Sequence, residues 1–209
     1  MNDAPKTRAS LLLRLRDTDN VEAWNQFVEV YVPLIHRFAR RRGLQDADAA
    51  DVTQEVLRQI ASSMRDFDYD DSRGTFRGWL LTVARSRIHN QLTRGRVGTV
   101  GSGDSGILER LSEQPADKEE EDWNRDFHQR LFTVALQRAE PEFRPTTWQA
   151  FRRTALDGET ASSVATALGM STGAVYIAKS RVVARLKELV RGLGDQSPGG
   201  AAPLNERDA

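Results

Sequence analysis

Apolar side chains recur at steps of three and four along three stretches of the first half of the chain. Trp24, Phe27, Val28, Tyr31, Ile35 and Phe38 share one face of a helix predicted over about Val21–Arg42, in which Pro33 implies a kink. A second helix, about Asp48–Met64, buries Val52, Val56, Ile60 and Met64, and a third, about Thr75–Leu92, presents Phe76, Trp79, Leu80, Val83, Ala84 and Ile88. Between them, Asp66-Phe67-Asp68-Tyr69-Asp70-Asp71-Ser72-Arg73-Gly74 is a turn-rich loop. No stretch alternates apolar and polar residues as a half-buried strand does, so the expected fold class is all-α.

The second half repeats the helical period. Trp123, Phe127, Leu131, Val134 and Ala135 line one face of a helix that ends at Pro141, and Trp148, Phe151 and Ala155 lie on another, about Thr146–Leu156, that stops at Asp157-Gly158. A short helix follows with Val164, Ala165 and Leu168 inward, then a glycine turn at Gly169. Ser171 is placed to cap a last helix reaching about Arg191, with Val175, Ala178, Val182, Leu186 and Leu189 inward. Two helices joined by a tight glycine turn make a helix-turn-helix, whose second helix enters the major groove of DNA.

Charge then divides the chain. The 209 residues carry 30 Lys+Arg against 30 Asp+Glu, a net charge of zero that would ordinarily argue against a nucleic-acid binder. The charges are segregated, however. Gly43–Leu57 holds Asp46, Asp48, Asp51 and Glu55 and no base, whereas Ser72–Gly103 holds Arg73, Arg77, Arg85, Arg87, Arg94 and Arg96 and no acid. A glycine-rich stretch then leads into an acidic one over Asp104–Asp126, which has the composition of a flexible linker with an acidic exit. The expected organisation is a flexible N-terminus (1–10), a helical domain (11–95), an acidic linker (96–122), a helix-turn-helix domain (123–192) and a disordered tail (193–209).

Several classes of chemistry drop out. The chain has no Cys, which removes disulfides, thiolate metal sites and a cysteine nucleophile and fits a cytoplasmic, reducing compartment. No apolar run approaches the length of a membrane span. His36, His89 and His128 are scattered, with no catalytic grouping and no phosphate-binding glycine loop, so no catalytic residue, metal, cofactor or small-molecule substrate is expected. Asp51, Gln54 and Glu55, at i, i+3 and i+4, form one patch suited to a basic protein partner. Ser171, Thr172, Gly173, Ala174, Tyr176, Lys179 and Arg181 fall at the outward start of the last helix, where hydroxyls, amides and cations reach phosphates and base edges.

Taken in order, the acidic Asp-x-x-Gln-Glu helix, the basic Phe-x-x-Trp-Leu helix, the acidic linker and the C-terminal helix-turn-helix resemble the extracytoplasmic-function sigma factors of the bacterial sigma-70 family, over about Leu11–Gly192. The resemblance implies a transcription initiation factor whose partners are core RNA polymerase, at its β′ clamp helices and β flap, and promoter DNA, with room for an anti-sigma factor. It gives Asp48, Asp51, Gln54 and Glu55 to polymerase binding. Phe67, Tyr69, Arg73, Arg77, Trp79, Arg85, Ser86, Arg87, His89, Asn90 and Arg94 go to recognition and melting of the minus-ten element, and Ser171–Ala174, Tyr176, Lys179 and Arg181 to the minus-thirty-five element. Ser86 and Asn90 stand where many members have Asn and Asp, and Tyr176-Ile177-Ala178-Lys179 replaces a frequent Lys-Ser-Arg-Leu. Read without the resemblance, the residues also fit a dimeric helix-turn-helix regulator acting without polymerase, a helical adaptor binding only proteins, or a metal-dependent nuclease using Asp51 and Glu55.

Overall fold

The computed structural model of the chain describes residues 11–64, 76–97 and 116–193. Their regular secondary structure is all helical, with no strand among them. The helices are α1 (Leu11–Leu15), α2 (Val21–Arg41), α3 (Asp46–Met64), α4 (Phe76–Val97), α5 (Ala116–Ala139), α6 (Pro145–Ala155), α7 (Ala161–Leu168) and α8 (Thr172–Leu193), with a 3-10 turn at Glu140–Glu142 after α5. The chain divides into two compact units at His128/Gln129, within α5.

In the first unit, α2 starts where Asn20 accepts the Ala23 N–H on its Oδ1 at 3.0 Å, which satisfies one of the unpaired donors of the opening turn. The helix runs unbroken through Pro33, which sits on its exposed side. Its inward face packs on α3 and α4, and Phe27, Tyr31, Ile35, Val56, Ile60, Phe76 and Leu80 are all essentially inaccessible to solvent. Rings stack at the centre of this core: Phe27 and Tyr31 lie 4.6 Å apart, and Phe76 meets both edge-on at 6.0 and 5.8 Å. Three expected core residues differ, Trp24 being half-buried. Val28 is 42% exposed, and Trp79 is half-buried, tilted against Phe76 at 5.4 Å.

Trp123 and Phe127, expected to open the second domain, are buried in the first unit. Trp123 packs edge-on against Phe38 at 5.2 Å and Phe127 stacks on Tyr31 at 5.5 Å. The acidic residues around them meet arginines at the end of α2 and on α4: Glu119 pairs with Arg42 and with Arg85 of α4, and Asp126 with Arg41. The expected linker, 96–122, is helical where it is described, at its two ends. Its middle, the N-terminus and the tail lie outside the described residues.

The second unit is built on small side chains. Ala150, Val164, Ala165, Val175 and Ala178 form its core, with Leu168 and Met170 packed against it, so α6, α7 and α8 approach closely. Thr160 caps α7 by accepting the Ser163 N–H at 3.2 Å, and Gly169 ends that helix in the left-handed region at φ 62°. Ser171 then caps α8, accepting the Ala174 N–H on its hydroxyl at 3.1 Å. The two helices are bent by 103°, within the range of a helix-turn-helix. Ala155, expected inward, is exposed.

Among the described residues no single helix is long and apolar enough to cross a membrane. Gly169 and Gly173 make opposite predictions. An added Cβ at Gly169 would touch nothing, so Gly169→Ala carries only the left-handed backbone penalty and should lower stability by about 1–2 kcal/mol. At Gly173 an added Cβ would meet only the Ser171 hydroxyl, at 4.0 Å, so Gly173→Ala should raise stability by about 0.5–1 kcal/mol. Urea unfolding of the full chain measures both.

Candidate nucleic-acid interface

The acidic patch is set by the amphipathic period of α3. Because Ala49, Val52, Thr53, Val56 and Ile60 face the core, Asp51 and Gln54 stand exposed on the opposite side, with Glu55 half-buried beside them. Asp48 is held differently. Its Oδ1 accepts a hydrogen bond from Gln91 Nε2 of α4 at 3.0 Å, which ties the start of the acidic patch to the basic helix.

On α4 the expected minus-ten residues separate into two groups. Ser86, His89 and Asn90 are exposed on one side. The arginines expected to accompany them are engaged inside the unit instead. Arg77 donates from Nε to Asn124 Oδ1 at 3.2 Å and lies over the Phe127 ring at 4.7 Å. Arg85 pairs with Glu119, and Arg87 donates twice to Gln59 Oε1 of α3, at 3.0 and 2.8 Å. The helical period accounts for this: Arg77 and Arg87 flank the buried stripe of Phe76, Leu80, Ala84 and Ile88 instead of opposing it. Burial pulls the guanidinium of Arg42 below its ordinary value, reinforced by Arg85 and Arg41, and burial does the same to Arg85 against the opposing field of Glu120. Phe67, Tyr69 and Arg73 lie outside the described residues, as does the side chain of Arg94.

In the second unit, Val175, Ala178, Val182 and Leu186 face inward. The outward stripe of α8 is therefore Gly173, Tyr176, Ile177, Ser180, Arg181 and Ala184, all exposed. Of the expected minus-thirty-five residues, Ser171, Thr172, Gly173, Tyr176 and Arg181 are exposed at this end of the unit, whereas Ala174 and Lys179 are half-buried. Sequence reasoning passed over Ile177, although it lies four residues after Gly173 and so on the same face.

The frame behind the stripe is held by ion pairs. Arg153 donates to Glu159 at 2.7 and 2.6 Å, and Arg185 donates to Glu142 at 2.6 and 2.8 Å while also bonding Glu188. These hydrogen bonds hold the Glu159 and Glu142 carboxyls below the usual carboxylate range. An open groove of about 770 Å³ lies beside them, lined by Phe132, Phe151, Leu156, Val183, Leu186 and Val190 among others. Among the described residues no group of three or more His, Asp or Glu is placed to hold a metal ion.

Residues 27–97 match the family described as Sigma-70 region 2. No curated protein matches the chain. Among solved structures, the chain is similar to the one described as "Structure of CnrH in complex with the cytosolic domain of CnrY", at 20% identity and a TM-score of 0.34, over 87% of this chain and 96% of that one.

Two outcomes follow from the packing. Trp123→Ala removes a fully buried ring and should cost the first unit about 3–5 kcal/mol; hydrogen exchange should show lost protection in α2 and α4 and none in α8. Because the Glu142 carboxyl is depressed in the folded state, its contribution is present above the unfolded carboxylate pKa and is lost as pH falls through the folded value. Thermal melts from about pH 6 to about pH 3 should lose less stability in Glu142→Gln than in the wild type.

Proposed function

We propose that this chain, whose residues 27–97 match the family described as Sigma-70 region 2, acts as an extracytoplasmic-function sigma factor of the sigma-70 family, binding core RNA polymerase and directing promoter recognition, melting and initiation. The observation that carries this reading is the pair α7 and α8, bent by 103° with an open outward stripe on α8, in the same chain as a segment that matches Sigma-70 region 2. A region 2 segment alone supplies no second DNA-reading element; a helix-turn-helix formed by α7 and α8 would supply one.

Each exposed surface has a task in this reading. Asp51, Gln54 and Glu55 dock on the β′ clamp helices, where a basic surface would meet the carboxylates. The apolar groove between α5, α6 and α8 suits an apolar segment of the β flap. Ser86, His89 and Asn90, with half-buried Trp79, face the minus-ten element together with the loop that carries Phe67, Tyr69 and Arg73. The α8 stripe faces the minus-thirty-five element. Arg77, Arg85 and Arg87 act first as structural residues, and any DNA contact from them requires exchange of their present partners. An anti-sigma protein would compete for the same exposed surfaces.

The neutral total fits this division of labour. A chain that neutralises few phosphates on its own binds free DNA weakly and with a shallow salt dependence, and gains specificity when polymerase adds its own cationic channel. Size exclusion of the full chain with bacterial core polymerase tests the proposal. The wild type should co-elute, and Asp51→Lys/Gln54→Lys, which changes only exposed positions, should lose co-elution while keeping its helical circular dichroism. No co-elution of folded wild type would overturn it.

A further inference from the structure

The outward stripe of α8 has an unusual chemistry for a surface that reads bases. Tyr176 and Ile177 are each 62% exposed, side by side one turn into the helix. The unit's core is closed by the opposite face, through Val175, Ala178 and Val182. From Met170 to Lys187 the helix and its turn contain no Asn, Gln, Asp or Glu, the side chains that read adenine or cytosine edges in the major groove. The hydroxyl of Ser171 is already occupied in capping Ala174. What the first two turns can offer a base pair is therefore the hydroxyls of Thr172 and Tyr176, a bare backbone at Gly173, the half-buried Lys179 and one exposed apolar side chain, Ile177. The major-groove feature that an apolar side chain recognises is the C5-methyl of thymine. Arg181, one turn further along the same stripe, is exposed and supplies the positive charge that duplex DNA attracts.

We propose that Ile177 is a specificity-determining residue that reads a thymine in the upstream promoter element through its C5-methyl group, with Tyr176 packed alongside. This inference rests on the sigma-factor reading and adds to it a residue and the base that it selects. Gly173 fits the same docking: it sits on the stripe with open space around it, at a helical position that requires no left-handed backbone, and a side chain there would hold the helix end away from the phosphates.

Thymine and uracil differ only by the methyl group, which makes the test direct. Holoenzyme reconstituted from core polymerase and the full chain would select its upstream element from randomised duplexes. Each thymine in the selected element would then be replaced singly by deoxyuridine and binding measured. For the wild type, one replacement should weaken binding by roughly 3–10-fold, the scale of a buried methyl group with its packing. Ile177→Ala should bind the thymine duplex more weakly by a similar factor and be indifferent to uracil at that position. Ile177→Val should retain part of the uracil penalty, and Arg181→Ala should weaken binding while keeping the full penalty. Alanine at an exposed helical position favours the helix, so loss of fold does not confound the result.

Specific promoter binding with no uracil-sensitive position, or an unchanged uracil penalty in Ile177→Ala, would overturn the inference while leaving the sigma-factor reading intact. So would a change in the oligomeric state of Ile177→Ala by light scattering without a change in uracil sensitivity, which would assign the residue to contact with a second copy. Failure of the wild type to bind core polymerase at all would overturn both.

Discussion

The left-handed turn at Gly169 sets the direction of the helix that follows it. Helix α7 ends because only a residue free to adopt φ near 62° can close its last carbonyls and reverse the chain there. Helix α8 then restarts on the Ser171 cap, bent by 103° from α7. The alanines and valines of the core allow the two helices and α6 to pack closely in that geometry. Once Val175, Ala178 and Val182 are turned inward, the helical period leaves no choice about which residues face out. The exposure of Gly173, Tyr176, Ile177, Ser180 and Arg181 as one outward stripe is thus a consequence of one turn and one small core.

The first unit shows the same logic with a different result. An arginine-rich helix suggests a positive face, yet α4 uses its arginines to hold neighbours. Arg87 joins α4 to α3 through Gln59, Asp48 and Gln91 join the same two helices a turn away, and Arg77 and Arg85 engage the acidic start of α5. Among the described side chains, what remains exposed on α4 is Thr82, Ser86, His89 and Asn90. In the proposed reading, recognition there would rely on Ser86, His89 and Asn90 and on neighbouring rings more than on bulk positive charge, in keeping with a chain of zero net charge.

Much of this was legible in the sequence, for physical reasons. Helices α2, α3 and α8 were placed within a few residues because each has a strong apolar period and a recognisable end, such as Asn20, Ser171 or Gly169. The exposure of Asp51 and Gln54 followed from the same period. Trp123 and Phe127 were misassigned because periodicity says which face of a helix is buried but not which partner buries it. The arginines of α4 were misread for a related reason: charge density along a sequence does not reveal a partner such as Gln59, Asn124 or Glu119, each distant in the chain. Ile177 was overlooked because an apolar residue in an apolar-rich helix looks like core until the face is fixed.

The central claim is that this chain gives a polymerase its promoter specificity. Transcription of fragmented bacterial genomic DNA by core polymerase, with and without the protein, followed by mapping of transcript 5′ ends, tests it most directly. Discrete start sites that appear only with the protein and share paired upstream elements are expected. Initiation indistinguishable from that of core polymerase alone would contradict it.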